Sequence, residues 1–244
     1  MAVQVYRRLE KVIPRYCKNA EPLLGGSYGW AAPSKDPETV LNLIQEAVEQ
    51  CGYTDRMAYC LDCASSEMYD KESGTYELNG SRVTSEELIQ YMKMLTEKIP
   101  LLFVEDLLDE NDWDGFERAH KALTRTNLIG DDFIVTNRER LEEACSRNAI
   151  DGFILKPNQV GTLTEAMDTY RFAEQKGLLT IPSGRSGGVV GDIVADLSLG
   201  LETPISKNGA PKSGERLDKM NSLLRASSEN PGSRPSDLSR LIRF

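Results

Sequence analysis

Asp62, Glu105 and Asp131 each stand at the carboxyl end of a short apolar run: MAYCLDCA, LLFVED and LIGDD. Lys156 closes the next run, GFILKP, while Ser183 to Arg185 close LLTIPS and Lys207 closes PISK. A single charged residue after a strand reads as loop solvation, but successive strands that each deliver a polar group at the same end suggest one shared mouth. Three carboxylates brought together without a cation repel until one takes a proton. A hard dication relieves this, and an oxygen-only donor set with room for water and substrate suits Mg2+. The other solution is that each carboxylate pairs separately with a Lys or Arg neighbour, and spacing alone does not separate the two. A lysine beside a metal and other cations is pushed toward its neutral form, which makes Lys156 a usable base. Arg185-Ser186-Gly187 opens a helix, and amides, guanidinium and hydroxyl together form a phosphate or carboxylate pocket to which Lys207 adds a cation. The set reads as a dication with Lys and Arg around a small, strongly anionic substrate.

The composition narrows the alternatives. The chain has 244 residues, and Lys+Arg 29 against Asp+Glu 38 gives a net charge of -9. An acidic surface repels phosphate backbones, which argues against nucleic acid and anionic membranes as partners. No apolar run reaches membrane-spanning length, and MAVQVYRRLEKV has no signal-peptide core, so the expected location is cytoplasmic. The Cys count of 5, scattered along the chain, fits reduced thiols. Cys60-x-x-Cys63 lies in a strand, where positions i and i+3 face opposite ways. The one histidine, His120 in DWDGFERAHKALTRT, reads as a solvated residue of an amphipathic helix, which leaves the chemistry to Lys, Arg, Asp and Glu.

The elements that must position these residues alternate. Residues 3–17 have helical spacing interrupted by Pro14, and a glycine-rich loop covers Leu24 to Pro33. Asp36-Pro37 starts a helix with Val40, Leu43, Ile44 and Ala47 on one face and Gly52 as its stop. A hairpin is expected around Ser73-Gly74, and a capping box joins Thr84 to Glu87. Helices are expected over 112–125, 138–148, 162–176, from about Gly188, and over 213–225, each after a strand, with PISK as the last strand. This alternation predicts an α/β fold with a parallel sheet and helical crossovers. It gives a single domain over 1–228 and a fraying Pro/Ser-rich tail over 229–244.

LDCASSE (61–67), FVEDLLDENDW (103–113), GDDFIVTN (130–137), ILKPNQVGTLTEA (154–166), GRSG (184–187), ADLSLGL (195–201) and KNGAPKSGERLDKMNSLLR (207–225) resemble enolase segments, in enolase order. The resemblance implies the TIM-type barrel of the enolase C-terminal domain, incomplete, because the opening strands and N-terminal domain of that family have no counterpart here. It implies Asp62, Glu105 and Asp131 as Mg2+ ligands and Lys156 as the base that removes the proton alpha to the substrate carboxylate. Arg185 and Ser186 fall to the phosphate side and the second metal, and Lys207 to the substrate carboxylate. The implied reaction is a carbon–oxygen lyase step of glycolysis, 2-phosphoglycerate to phosphoenolpyruvate, or a closely related phospho-carboxylate conversion.

The departures fall on the leaving-group half. Where enolases carry an acid glutamate in G-D-E-G-G-V-A-P, this loop reads Gly26-Ser27-Tyr28-Gly29-Trp30-Ala31-Ala32-Pro33, with Tyr28 in the glutamate's place. The family's S-H-R-S-G becomes Ser183-Gly184-Arg185-Ser186-Gly187, so Gly184 replaces the histidine. The alternative reading is a catalytically impaired subunit or scaffold. In either case a homodimer, a separate chain or a rearranged N-terminal helix would cover the sheet edges that an incomplete barrel exposes.

Overall fold

The structure, a computed structural model, describes residues 1–17, 21–25 and 27–244, so Gly26 of the glycine-rich loop lies outside the described residues. It divides into two compact units. The first comprises Met1–Met57, Gly184–Glu202 and Ser206–Pro235; the second comprises Ala58–Ser183, Thr203–Ile205 and Ser236–Phe244. Residues 1–228 therefore contribute to both.

The first unit opens with α1 (Ala2–Tyr16), which carries Pro14 in its last turn and buries Val5, Val12 and Ile13. It packs on α2 (Pro37–Gln50). Asp36 caps α2 by accepting the Thr39 N–H at 2.9 Å, and Pro37 fills the first turn, where its missing N–H is harmless. The buried face of α2 is Leu41, Leu43, Ala47 and Val48, with Val40 and Ile44 only half-buried, so the apolar stripe is turned slightly from the expected one.

The second unit begins with β1 (Tyr59–Asp62). A small antiparallel sheet follows: β2 (Tyr69–Asp70), β3 (Thr75–Leu78) and β4 (Ser81–Val83). The turn between the first two contains Gly74 at φ 67, a left-handed conformation that glycine adopts without strain. Then come α3 (Ser85–Lys98), with the Thr84/Glu87 capping box formed, and β5 (Leu101–Glu105). The repeat continues through α4 (Trp113–Ala122), β6 (Asn127–Gly130), α5 (Arg138–Ser146), β7 (Gly152–Leu155), α6 (Pro157–Val160), α7 (Leu163–Lys176) and β8 (Leu179–Pro182). The strands form a 5-stranded parallel sheet in the order β1-β5-β6-β7-β8. Phe103, Ile129, Ile154 and Ile181, one from each of β5 to β8, form a cluster no more than 2% exposed, with Leu179 and Ile205 packed on it. Each such side chain contributes roughly 1.5–3 kcal/mol by leaving water. Position 152 admits only glycine, because a Cβ there would lie 2.3 Å from the Leu179 carbonyl oxygen of the neighbouring strand.

The chain returns to the first unit with α8 (Val194–Gly200) and α9 (Gly214–Glu229), which pack on each other. Two expectations are corrected here. PISK forms no strand, and Pro204 has no N–H to offer a ladder. The helix expected from about Gly188 begins at Val194, because Gly187 and Gly191 take φ 75 and 79, outside helical space.

His120 is not a solvated helix residue. Its side chain is 15% exposed and its Nε2 lies 3.1 Å from Asp151. The Asp151 carboxylate also accepts the Leu128 N–H at 2.8 Å and two Arg243 N–H bonds at 2.7 and 3.1 Å. Arg243 donates further to the Thr126 carbonyl, and Asn127 donates its side-chain N–H to the Leu241 carbonyl. Within the segment expected to fray, the last residues are thus bonded to the start of β6 and the turn before β7. Burial pushes the Asp151 carboxyl up, but hydrogen bonds from His120, Arg243 and the Leu128 amide outweigh it and hold it below the usual carboxylate range. A lowered pKa contributes stability that is present above the unfolded value and lost as pH falls through the folded one. Asp151→Asn should therefore lower stability by about 2 kcal/mol at neutral pH. In urea unfolding, its deficit against wild type should shrink as pH drops below about 4; a deficit that persists undiminished at lower pH would contradict the ionic account.

Candidate active site

Strand register brings the acidic residues of the second unit to one level. Asp62 is the β-partner of Glu105, and Glu105 is the partner of Ile129, two residues before Asp131. Asp62, Glu105 and Asp106 offer oxygens all within 4.8 Å of one another, and so do Asp106, Asp131 and Asp132. Of the three carboxylates read from sequence, Asp62 and Glu105 fall in one group and Asp131 in the other, with Asp106 common to both. Glu105, Asp106 and Asp131 are buried, while Asp62 and Asp132 are exposed.

Asp106 holds the two groups in register. It sits at φ 46, a left-handed conformation costly for a residue with a Cβ. Its carboxylate accepts the N–H groups of Asp131 at 2.9 Å, Asp132 at 2.8 Å and Phe133 at 3.4 Å, tying the end of β5 to the turn after β6. Burial pushes its carboxyl up to about 7 against the pull of those amides, and the Asp131 and Asp132 carboxylates push the same way. Asp132 is raised too, by burial first and then by Asp131. Burial also lifts the Cys63 thiol well above its ordinary value, and the charges of Asp62, Asp106 and Glu105 add to the effect.

The Lys156 ammonium donates to Asp131 Oδ2, and the Gln159 amide donates to Asp131 Oδ1 at 2.8 Å. Thr136, which is fully buried, holds the Gln159 side chain and the Lys156 backbone amide. Its hydroxyl lies 2.8 Å from Gln159 Oε1 and accepts the Lys156 N–H at 2.9 Å. Thr136 and its neighbour Val135 are β-branched residues at φ 55 and 47, so the loop after β6 that braces the Lys156 amide is held in a strained conformation.

The first unit carries the remaining candidates. Arg185 and Ser186 are exposed and Lys207 is half-buried, and the Gly184 N–H donates to the Lys207 carbonyl at 2.9 Å. The Ser186 hydroxyl lies 2.5 Å from the Ser27 hydroxyl. Next to Ser27, Tyr28 takes φ 60 and its carbonyl accepts the Tyr6 hydroxyl at 2.7 Å. The Arg216 guanidinium stands 5.9 Å from the Tyr28 ring centroid. A Cβ at Gly184 would lie 3.2 Å from Lys219 Cε. The Lys219 ammonium itself is buried, paired with Asp192 and bonded to the Glu215 carbonyl. The glycine is thus matched to a lysine end that stands close against it.

Sequence reasoning missed Asp106, Gln159, Thr136 and Ser27. The first two were signalled: Asp106 follows Glu105 at a strand end, and Gln159 lies in the same helical start as Lys156. Thr136 and Ser27 carry no signal, because a hydroxyl that bridges two loops cannot be told from a solvated one without the fold.

Acidic residues and a lysine at the carboxyl ends of consecutive parallel strands with helical crossovers define a β/α-barrel type of site. Residues 1–234 match the family model described as enolase, C-terminal TIM barrel domain. The chain belongs to this family. It is 38% identical over 230 residues to the enolase of Methanococcus aeolicus, covering 94% of this chain and 54% of that protein. Against the enolase of Sulfolobus acidocaldarius it is 37% identical over 223 residues, covering 91% and 53%. Against the enolase of Methanocaldococcus jannaschii it is 39% identical over 230 residues, covering 94% and 53%. The chain spans about half the length of these relatives.

Asp106→Asn tests the carboxylate that joins the two acidic groups. An amide offers one acceptor and turns its NH2 toward a buried N–H, at a cost of about 2–3 kcal/mol. A raised pKa contributes stability that is complete below the unfolded value and lost as pH rises through the folded one. With chelator present, wild-type urea midpoints should therefore carry a component that falls from about pH 4 through about pH 7. That component should be missing from the variant; identical profiles would show that Asp106 does not titrate there.

Proposed function

We propose that the chain is an enolase-type lyase in which Lys156 takes the alpha proton of 2-phosphoglycerate or a closely related phospho-carboxylate, a step of glycolysis in the cytoplasm. The observation that carries this reading is the contact of the Lys156 ammonium with Asp131, in the unit where Asp62 and Glu105 stand side by side. The donor set fits a hard dication. It is all oxygen, and its crowding is what a divalent charge relieves. The oxygens of Asp106 are engaged by backbone amides that cannot turn away, whereas those of Asp131 are engaged by the mobile ends of Lys156 and Gln159. Asp62, Glu105 and Asp131 are therefore the residues that would hold Mg2+, which when bound acts as a Lewis acid on the substrate carboxylate.

As the base, Lys156 takes the alpha proton on its nitrogen lone pair, and the electron pair left on carbon is delocalised toward the carboxylate. The hydroxyl then leaves as water with one added proton, and Tyr28, in the place of the family's glutamate, is the donor this chain offers. Arg185 and Ser186 bind the phosphate, and Lys207 binds the carboxylate.

The second reading is a catalytically impaired subunit or scaffold. It is favoured by Gly184 and Tyr28 at the two altered positions and by Ser27 engaging the Ser186 hydroxyl. Exchange of the alpha proton of 2-phosphoglycerate in deuterated buffer with Mg2+ separates the two. The lyase reading expects exchange that falls by about 10²-fold or more in Lys156→Ala, the scale of a lost general base. Exchange without phosphoenolpyruvate would mean that the base works and the acid does not. No exchange, together with no Mg2+-dependent rise in melting temperature, would leave the scaffold reading.

A further inference from the structure

The face of α1 turned away from its buried residues carries Gln4, Arg7, Arg8 and Lys11, spaced so that all four lie on one side of the helix. These residues, with Gln50 and Tyr53 from the end of α2 and the turn after it, line an open groove of about 580 Å³. Among the described residues, no ion pair engages Arg7, Arg8 or Lys11, although Arg15 on the same helix is paired with Glu46 at 2.5 Å. Glu10 at the rim is the one carboxylate in the lining, so the groove is cationic in a chain whose net charge is -9. The Tyr53 hydroxyl donates to Gln4 Oε1, which fixes the Gln4 amide with its NH2 end left to donate.

We propose that this groove is a binding site for a small polyanion, a phosphorylated molecule carrying at least two anionic groups. Three cations within one helical turn repel one another unless an anion stands between them. The fork of an arginine donates to two phosphate oxygens at once, and the groove holds two arginines and a lysine around amide donors. Its volume falls in the range of small-ligand sites, about 300–1,000 Å³. The site is independent of the lyase reading, because none of its residues belongs to the candidate catalytic set.

The probe is inorganic pyrophosphate, titrated without divalent ions into the uniformly 15N-labelled full chain and followed by amide chemical shifts. The expected result is saturable binding with a dissociation constant below about 1 mM, with shifts centred on residues 4–11 and 50–53. Raising the ionic strength should weaken it. The triple variant Arg7→Glu, Arg8→Glu, Lys11→Glu should lose at least about tenfold in affinity. Shifts centred on 184–188 that vanish in Arg185→Ala would place the anion elsewhere and overturn the proposal. The absence of saturable binding, or binding unchanged in the charge-reversed chain, would overturn it equally. Should the triple variant fail to fold by circular dichroism, the wild-type shift map still decides.

Discussion

Two carboxylate triads, Asp62 with Glu105 and Asp106, and Asp106 with Asp131 and Asp132, form at the ends of parallel strands and share Asp106, and most of the local structure answers that one electrostatic constraint. Burial disfavours the charged forms of Asp106 and Asp132, and neighbouring carboxylates push the same way. The protein supplies three kinds of relief. Backbone amides of Asp131, Asp132 and Phe133 converge on Asp106. The Lys156 ammonium and the Gln159 amide converge on Asp131. Asp62 and Asp132 remain in contact with water. The contact with Asp131 relieves that carboxylate and at the same time fixes where the Lys156 side chain ends.

Holding that arrangement costs strain elsewhere. Asp106, Val135 and Thr136 all take positive φ, and two of them are β-branched. These conformations persist because buried hydrogen bonds over-determine them: the Thr136 hydroxyl meets both Gln159 and the Lys156 amide, and the Thr136 carbonyl accepts the Thr169 hydroxyl. The four-residue cluster of Phe103, Ile129, Ile154 and Ile181 fixes the strands beneath, so strain in the loops is borne by a rigid sheet.

The alternation of apolar runs with capped helices made the parallel sheet legible in the sequence, and the Asp36 and Thr84 caps and the Ser73-Gly74 turn could be read from local chemistry alone. The polar groups at strand ends pointed to Asp62, Glu105, Asp131 and Lys156. What stayed hidden depends on tertiary geometry. The dipeptides Glu105-Asp106 and Asp131-Asp132 each present two carboxylates, and only the left-handed turn at Asp106 decides which one faces the backbone. His120 reads as a surface residue on its own helix, and its partner Asp151 lies beyond the next strand and helix. The glycines after Arg185 are compatible with a helix start in a resemblance-led reading, but their positive φ delays the helix to Val194.

The positions at which the sequence departs from the enolase motifs it resembles carry a consistent set of contacts. Position 184 has no side chain, and Lys219 stands where a side chain would crowd it. In the stretch after Gly187, Asp192 supplies the carboxylate that the buried Lys219 requires. Tyr28 lacks a carboxylate, yet its loop is fastened through the Tyr6 hydroxyl and the Ser27–Ser186 contact. A buried ammonium without a partner would cost several kcal/mol, so Asp192 and Lys219 must change together if either changes. Returning a histidine to position 184 would therefore not by itself rebuild the family's arrangement, because the added side chain would have to displace a lysine end that is already paired.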